Sequence, residues 1–556
     1  MIAKQSIAKQ YSTKVLDHLG LVAGMCSELG ISQIVDEHIP VNSVDKILST
    51  GNAVVGLILN GLGFVNKRLY LVSRFFENKP VDKLLNVSYL DNSHFNDDAL
   101  GRSLDAIYDF GVSEMFALIS SQVIGHLTSE YGLKVSSGQL DNTNFHLHSE
   151  EKELKEGKEG EEVILKINKG YSKDHRPDLV QVGLQLIVEN QSGIPLLMKV
   201  LDGNQEESQS YGQFISEYAE QLQNNYDLNF IIVDSKLYNL KNLPILGGKS
   251  ALSWLTRVPN SLKVAKDLIA DIDKKSFKPL HDYEKYQYQE VCNTYGDVKQ
   301  RWLVLKSEEK FIRDLKNLDK KVAKLNVVAE KECKKLLKQE FATASDALKA
   351  TTDFSNKLKF NTLENVLVVE KCKYSRPGKP KKDQKPDKKY YVITGELRMD
   401  TAQYKADKEK LGYFILATNE CNIDKMSPND LLAAYKGQSK VERSFRFLKD
   451  PNIVGSSLFV QKPERMMAIL MIMTLCLLVY SALEYVTRTL LKKNNLTFEN
   501  QVGKPVQNPS MKWIFECFEG IHLLYVSDKQ CIVLNLKERH RLIINLLGER
   551  YSRYYT

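Results

Sequence analysis

Residues 466–483, MMAILMIMTLCLLVYSAL, run for 18 positions without a charge. A run of that length either crosses a bilayer or forms a helix buried on every side of a large domain. Thr474, Cys476, Tyr480 and Ser481 dilute it, and it is the one such run in the chain. The first residues, MIAKQSIAKQYSTK, hold no apolar stretch of signal-peptide length. The buried helix is therefore the preferred reading over a membrane span, and it demands a core large enough to surround it.

The chain can supply such a core. Its 556 residues predict two to four domains. With 43% hydrophobic and 26% charged residues it is no fibrous or wholly disordered chain. Eight cysteines stand far apart without a Cys-x-x-Cys pair. That argues against a cysteine-only zinc site, a thioredoxin-type motif and a disulfide framework, and fits a reducing cytoplasm. Ten histidines are scattered, and His146 with His148 make a weak zinc pair at best.

The net charge of +8 is concentrated. Residues 371–390, KCKYSRPGKPKKDQKPDKKY, carry nine Lys or Arg against two Asp, a local 9 − 2 = +7. Three prolines and Gly378 exclude a regular helix or central strand there. The segment is either a solvated loop or an arm that neutralises phosphates through residues such as Lys381 and Lys382. Residues 150–162, EEKELKEGKEGEE, read as an exposed acidic loop between two strands.

Periodicity divides the chain. Residues 1–130 read as helical, with Pro40 and Pro80 as breaks. From about 135, short β-branched runs (VSSGQLDNTNF, EEVILKI, VQVGLQLIVEN, GIPLLMKVL, LNFIIVD, ALSWLTRVP) predict strands, with a helix over 211–226. In 306–349, Phe311, Leu315, Leu318, Val322, Leu325 and Ala329 follow a 4-3-4-3-4 spacing, a narrow stripe that suits a short coiled coil. Strands NVLVVEK, KYYVITGEL and LGYFILATN follow, then a helix after Ser427-Pro428-Asn429-Asp430. The tail, 510–556, reads as helical and basic.

Three acidic residues stand where a carboxylate is costly. Asp141 and Asp234 close apolar strands, and Glu442 lies in a helix among basic residues. Burial of such groups needs compensation. A divalent cation supplies it, since magnesium takes a few carboxylates and fills its remaining positions with water and phosphate oxygens. The alternative is the common use of Asp as a turn residue. Tyr435, Gln438, Glu442 and Lys449 are spaced 3, 4 and 7 apart, which on one continuous helix places them near one face. An amphipathic helix with a solvated polar face has the same spacing.

These segments resemble the DDE transposases of bacterial insertion sequences, in the subgroup with a β-rich insertion between the second Asp and the Glu. That subgroup carries a Tyr-x2-Arg-x3-Glu-x6-Lys signature. Tyr435, Glu442 and Lys449 match it in type and spacing, and Gln438 replaces the Arg. The first motif, usually Asp-Thr-Thr, is here Asp141-Asn142-Thr143. Residues 170–204, FIIVDSKLY, WLTRVP and GYFILATNE are also similar to the family. The resemblance implies an α/β fold: an RNase H-like catalytic core interrupted by an inserted subdomain, with an N-terminal helical domain. Its expected divisions are 1–130 (DNA ends and assembly), 131–260 (core, first part), 261–410 (insertion with the basic arm), 411–495 (core, second part) and 496–556 (helical tail). It implies Asp141, Asp234 and Glu442 as the catalytic and metal-binding triad for two magnesium or manganese ions. It also implies DNA contacts from Tyr435, Gln438, Lys449 and Arg257, and it covers Lys173, His175 and Arg176. The expected partner is double-stranded DNA, bound by a homodimer in the bacterial cytoplasm at the nucleoid, with no membrane and no small-molecule substrate. Water would free a 3′-hydroxyl at the element's end, and that hydroxyl would attack a second phosphodiester. Gln lacks the fixed charge and fork of Arg, so a DNA-binding relative without cleavage activity is the alternative.

Overall fold

A computed structural model describes residues 11–40, 47–64, 71–147, 150–155, 163–171, 176–248, 252–374, 385–437, 439–450, 462–527 and 530–556. The fold is mixed α/β. The chain divides into two units. The first comprises 1–257, 293–300 and 418–556, and the second 258–292 and 301–417.

Five strands organise the first unit: β1 (Gly138–Leu147), β2 (Val180–Glu189), β3 (Pro195–Leu201), β4 (Phe230–Val233) and β5 (Ser253–Val258). Their order across the sheet is β3-β2-β1-β4-β5. β1, β2 and β3 run antiparallel in turn, whereas β1–β4 and β4–β5 are parallel. The crossover from β3 to β4 is a helix, α1 (Glu207–Tyr226), as parallel pairing requires. β2 is buried along its whole length, so both of its faces are covered. The β2–β3 turn is held by Glu189, itself fully buried. Its carboxylate accepts from the N–H of Gln191 (2.8 Å) and Ser192 (2.5 Å) and from the Ser192 hydroxyl (2.8 Å). Gly193 supplies the positive φ of 76° that closes the turn.

The uncharged run lies in a 31-residue helix, Pro463–Lys493. Of its most apolar 18-residue window, 89% is buried. It packs against helices Leu19–Glu28, Thr50–Leu62, Asp97–Phe110 and Val112–Tyr131, and against β3. Arg465, in its first turn, forks onto Asp105 with two bonds of 2.7 Å. Burial all round is the arrangement a stripeless apolar helix requires.

Several sequence expectations are corrected here. The N-terminal segment is not purely helical: Ser12–Val15 is a strand that pairs with His522–Ser527, which in turn pairs with Gln530–Leu534. The tail is likewise part strand, because HLLYVS and QCIVL are β-formers placed to pair. The acidic segment begins as strand, Lys152–Lys155, paired with Val163–Ile167.

In the second unit, Glu308–Lys338 is a 31-residue helix. Ser307 caps its start, with acids in the first turn and lysines in the last. Its stripe is no coiled coil. Leu318 and Val322 pack with Phe360. Cys333 and Leu336 pack with Phe341, Ala347, Phe354 and Ile393 from the adjoining helix and hairpin. That hairpin pairs Asn361–Lys373 with Lys388–Met399, so both ends of the basic arm are strand. Residues 375–384, including Lys381 and Lys382, lie outside the described residues. The second unit holds 34 Lys and Arg against 23 Asp and Glu, 34 − 23 = +11, and the rest of the chain is net acidic.

Candidate active site

The parallel pairing of β1 and β4 runs Gly138–Ile231, Gln139–Ile232, Leu140–Val233. The pairing ends there, and Asp141 and Asp234 are the next residues along the two segments. Adjacent parallel strands stand about 4.8 Å apart, and residues on one rung share a face. Asp234 keeps an extended backbone, φ −60° and ψ 159°, so it continues that geometry just beyond the strand. Two half-buried aspartates thus directly follow the last paired residues of neighbouring parallel strands.

Each is fixed by hydrogen bonds. Asp141 Oδ1 accepts from the Asn142 N–H at 2.7 Å and from the Tyr211 hydroxyl at 3.2 Å. Tyr211 is fully buried near the start of α1. Asp234 Oδ1 accepts from the Ser235 N–H at 2.6 Å and the Ser235 hydroxyl at 3.2 Å, capping the turn Ser235–Leu237. The Asp234 carbonyl accepts from Thr256 Oγ1 on β5 at 3.0 Å. Spacing in the sequence could not reveal Tyr211 or Thr256, because their partners lie 70 and 22 positions away.

The third acid is placed differently. Helices α2 (Pro428–Lys436) and α3 (Ser439–Leu448) are separate, with Gly437 as the C-cap of α2. This corrects the single-helix reading: Tyr435 sits on α2, Glu442 on α3, and Lys449 one residue past the end of α3. Val441, Ser444, Phe445 and Leu448 form the buried face of α3, and Glu442 is exposed. α3 packs on β1 and on the long helix Pro463–Lys493, labelled α4 from here. Among the described residues, no three His, Cys, Asp or Glu side chains gather into a metal-holding group. The paired aspartates offer the hard oxygen donors magnesium takes, so they fit a divalent cation. Glu442 is not brought to them.

The remaining candidates are dispersed. Tyr435, Arg257 (on β5) and Lys449 are half-buried. Arg176 is exposed and forks onto Asp178 at 2.7 and 2.9 Å, which holds its guanidinium above its usual pKa. Lys173, His175 and Gln438 lie outside the described residues.

A family model described as a transposase DDE domain matches residues 139–479. A second, described as a domain of unknown function (DUF4277), matches residues 11–121. No curated protein matches the chain. Among solved structures it is similar to the piggyBac transposase synaptic complex with hairpin DNA, known from cryo-EM. The likeness is 10% identity over 98% of this chain and 83% of that one, with a TM-score of 0.35.

Proposed function

Because the chain belongs to the transposase DDE-domain family, we propose that it binds the ends of an insertion sequence and carries out metal-dependent strand cleavage and transfer in cut-and-paste transposition. The observation that carries this reading is that Asp141 and Asp234 directly follow the last paired residues of the neighbouring parallel strands β1 and β4. The strand order β3-β2-β1-β4-β5 supports an RNase H-like core, and the separate second unit supports an insertion between Asp234 and Glu442.

Asp141 and Asp234 would hold the metal, with Glu442 joining them once α3 is in its working position. When bound, magnesium or manganese supplies charge neutralisation and an activated oxygen for in-line displacement at phosphorus. The protein's part is to fix its carboxylates beforehand. The Tyr211 hydroxyl orients Asp141, and Ser235 holds one oxygen of Asp234, leaving the other for the metal. Arg257, Tyr435, Lys449, Gln438, Lys173 and Arg176 would contact phosphates near the cut. The second unit, at +11, would neutralise duplex phosphates, with Lys381 and Lys382 contributing. Assembly as a homodimer on two ends, in the bacterial cytoplasm, completes the proposal.

The position of Glu442 apart from the aspartates favours one second reading, a DNA-binding relative that does not cut. The deciding experiment is cleavage of a duplex carrying the element's terminal repeat, in magnesium, manganese or EDTA, beside Glu442→Gln. Metal-dependent cutting at the repeat boundary that the variant lacks supports the transposase. Binding without cutting in either metal supports the second reading.

A further inference from the structure

One small contact joins the two halves of this candidate site. Gln139 lies two residues before Asp141 on the same face of β1 and is 1% exposed. Its amide nitrogen donates to Asn190 Oδ1, in the β2–β3 turn, and reaches the Ala434 carbonyl of α2 at 3.5 Å. Gly437 closes over this pair. A Cβ there would fall inside the envelope of Asn190 Oδ1 and stand 2.8 Å from Gln139 Nε2. Its φ of −58° is ordinary, so space and not backbone strain requires glycine. Both atoms in the way are side-chain ends, but they are bonded to each other. A methyl group would either part them or lift the end of α2 from the sheet.

We propose that Gln139, Asn190 and Gly437 form a seat that positions the Glu442 helix against Asp141; the inference rests on the metal-site reading above. Asp141 lies about 7 Å along the strand from Gln139. α3, which carries Glu442, packs on the same strand and begins shortly after Gly437 in the chain. A displacement of Gly437 from its seat therefore changes how α3 meets β1. The three are positioning residues and touch no reacting atom.

The test is manganese binding by calorimetry, without DNA, on wild type, Gly437→Ala, Gly437→Ala with Asn190→Gly, and Glu442→Gln. Thermal unfolding is recorded for each. The seat predicts at least tenfold weaker manganese binding in Gly437→Ala at an unchanged unfolding temperature. It also predicts that the double variant stays weak, because Asn190 is itself part of the seat. Single-turnover cleavage should follow the same order. Wild-type binding by Gly437→Ala, or recovery in the double variant, overturns the seat alone. A wild type that binds no manganese overturns the metal-site reading and the seat with it, and a Glu442→Gln protein that binds it fully removes Glu442 from the site and overturns the seat. If Gly437→Ala does not fold, Gln139→Asn replaces it: its shorter amide cannot span Asn190 and Ala434, and it must weaken manganese binding likewise.

Discussion

Asp234→Asn separates the structural work of that residue from its chemical work. Asp234 Oδ1 caps the Ser235–Leu237 turn. Asn caps as well as Asp, so its Oδ1 can keep the Ser235 bonds and its NH2 then stands where the second carboxylate oxygen was. That nitrogen cannot ligate a cation. The substitution also removes one of two like charges on neighbouring strands. At about 5 Å and an effective dielectric near 20 their repulsion is about 3 kcal/mol, and half-exposure reduces it to about 1 kcal/mol. In EDTA the variant should therefore unfold no earlier than wild type. In manganese at 100 times the dissociation constant, wild type should gain about 2.7 kcal/mol and the variant less than about 0.5 kcal/mol. The stability order of the two proteins should reverse between the two buffers. Cleavage of the end duplex should fall at least ~1,000-fold, about 4 kcal/mol in barrier, with end binding retained. Thermal unfolding in both buffers and single-turnover cleavage read all of this. A variant destabilised in EDTA would make Asp234 chiefly a turn-capping residue. An equal gain in manganese would put the metal elsewhere.

Four further outcomes follow from the structure. Glu28, nearly buried on helix Leu19–Glu28, accepts from the hydroxyls of Tyr131 and Tyr551 at 2.5 Å each; Tyr551→Phe should cost about 2 kcal/mol in chemical unfolding, and a loss under about 0.5 kcal/mol would show that bond to be dispensable. Burial lowers His18, whose Nε2 donates to the Leu62 carbonyl and whose ring stacks on Phe515, to a pKa of about 4. Its stability contribution should be complete above pH 6.5 and fall by up to about 3 kcal/mol toward pH 4, as read from urea midpoints, and His18→Gln should flatten that slope. Leu470→Ala, within the buried α4, should cost about 2–5 kcal/mol; a negligible change in thermal unfolding would mean that α4 is not part of the folded core. Replacing Lys379, Lys381, Lys382 and Lys385 by Gln should lower the salt slope of DNA binding by up to about 0.9 for each phosphate no longer neutralised, and an unchanged slope would make the arm a passive loop.

What the sequence made legible was local. The strand before Asp234 was readable because its β-branched run ends in an acid, whereas Asp141 does not close its strand as expected but lies inside Gly138–Leu147. The buried helix was readable because eighteen uncharged residues admit few environments. That the strands leading to Asp141 and Asp234 are parallel neighbours was not readable, since pairing between segments so far apart in the chain is set by packing and not by either strand's pattern. The tail misled for a related reason. HLLYVS has strand chemistry, but its partner is Ser12–Val15 at the opposite end of the chain. Gly437 is the sharpest case. Steps of 3, 4 and 7 treat Tyr435 to Lys449 as one helix, and nothing in that arithmetic registers a glycine as a stop. Gln139 and Asn190 account for the glycine itself, because they occupy the space a side chain would need. A helix face computed from spacing holds only while the helix is continuous. Here the interruption falls between the residues whose alignment was inferred, so the spacing of Tyr435 and Glu442 does not place them on one face.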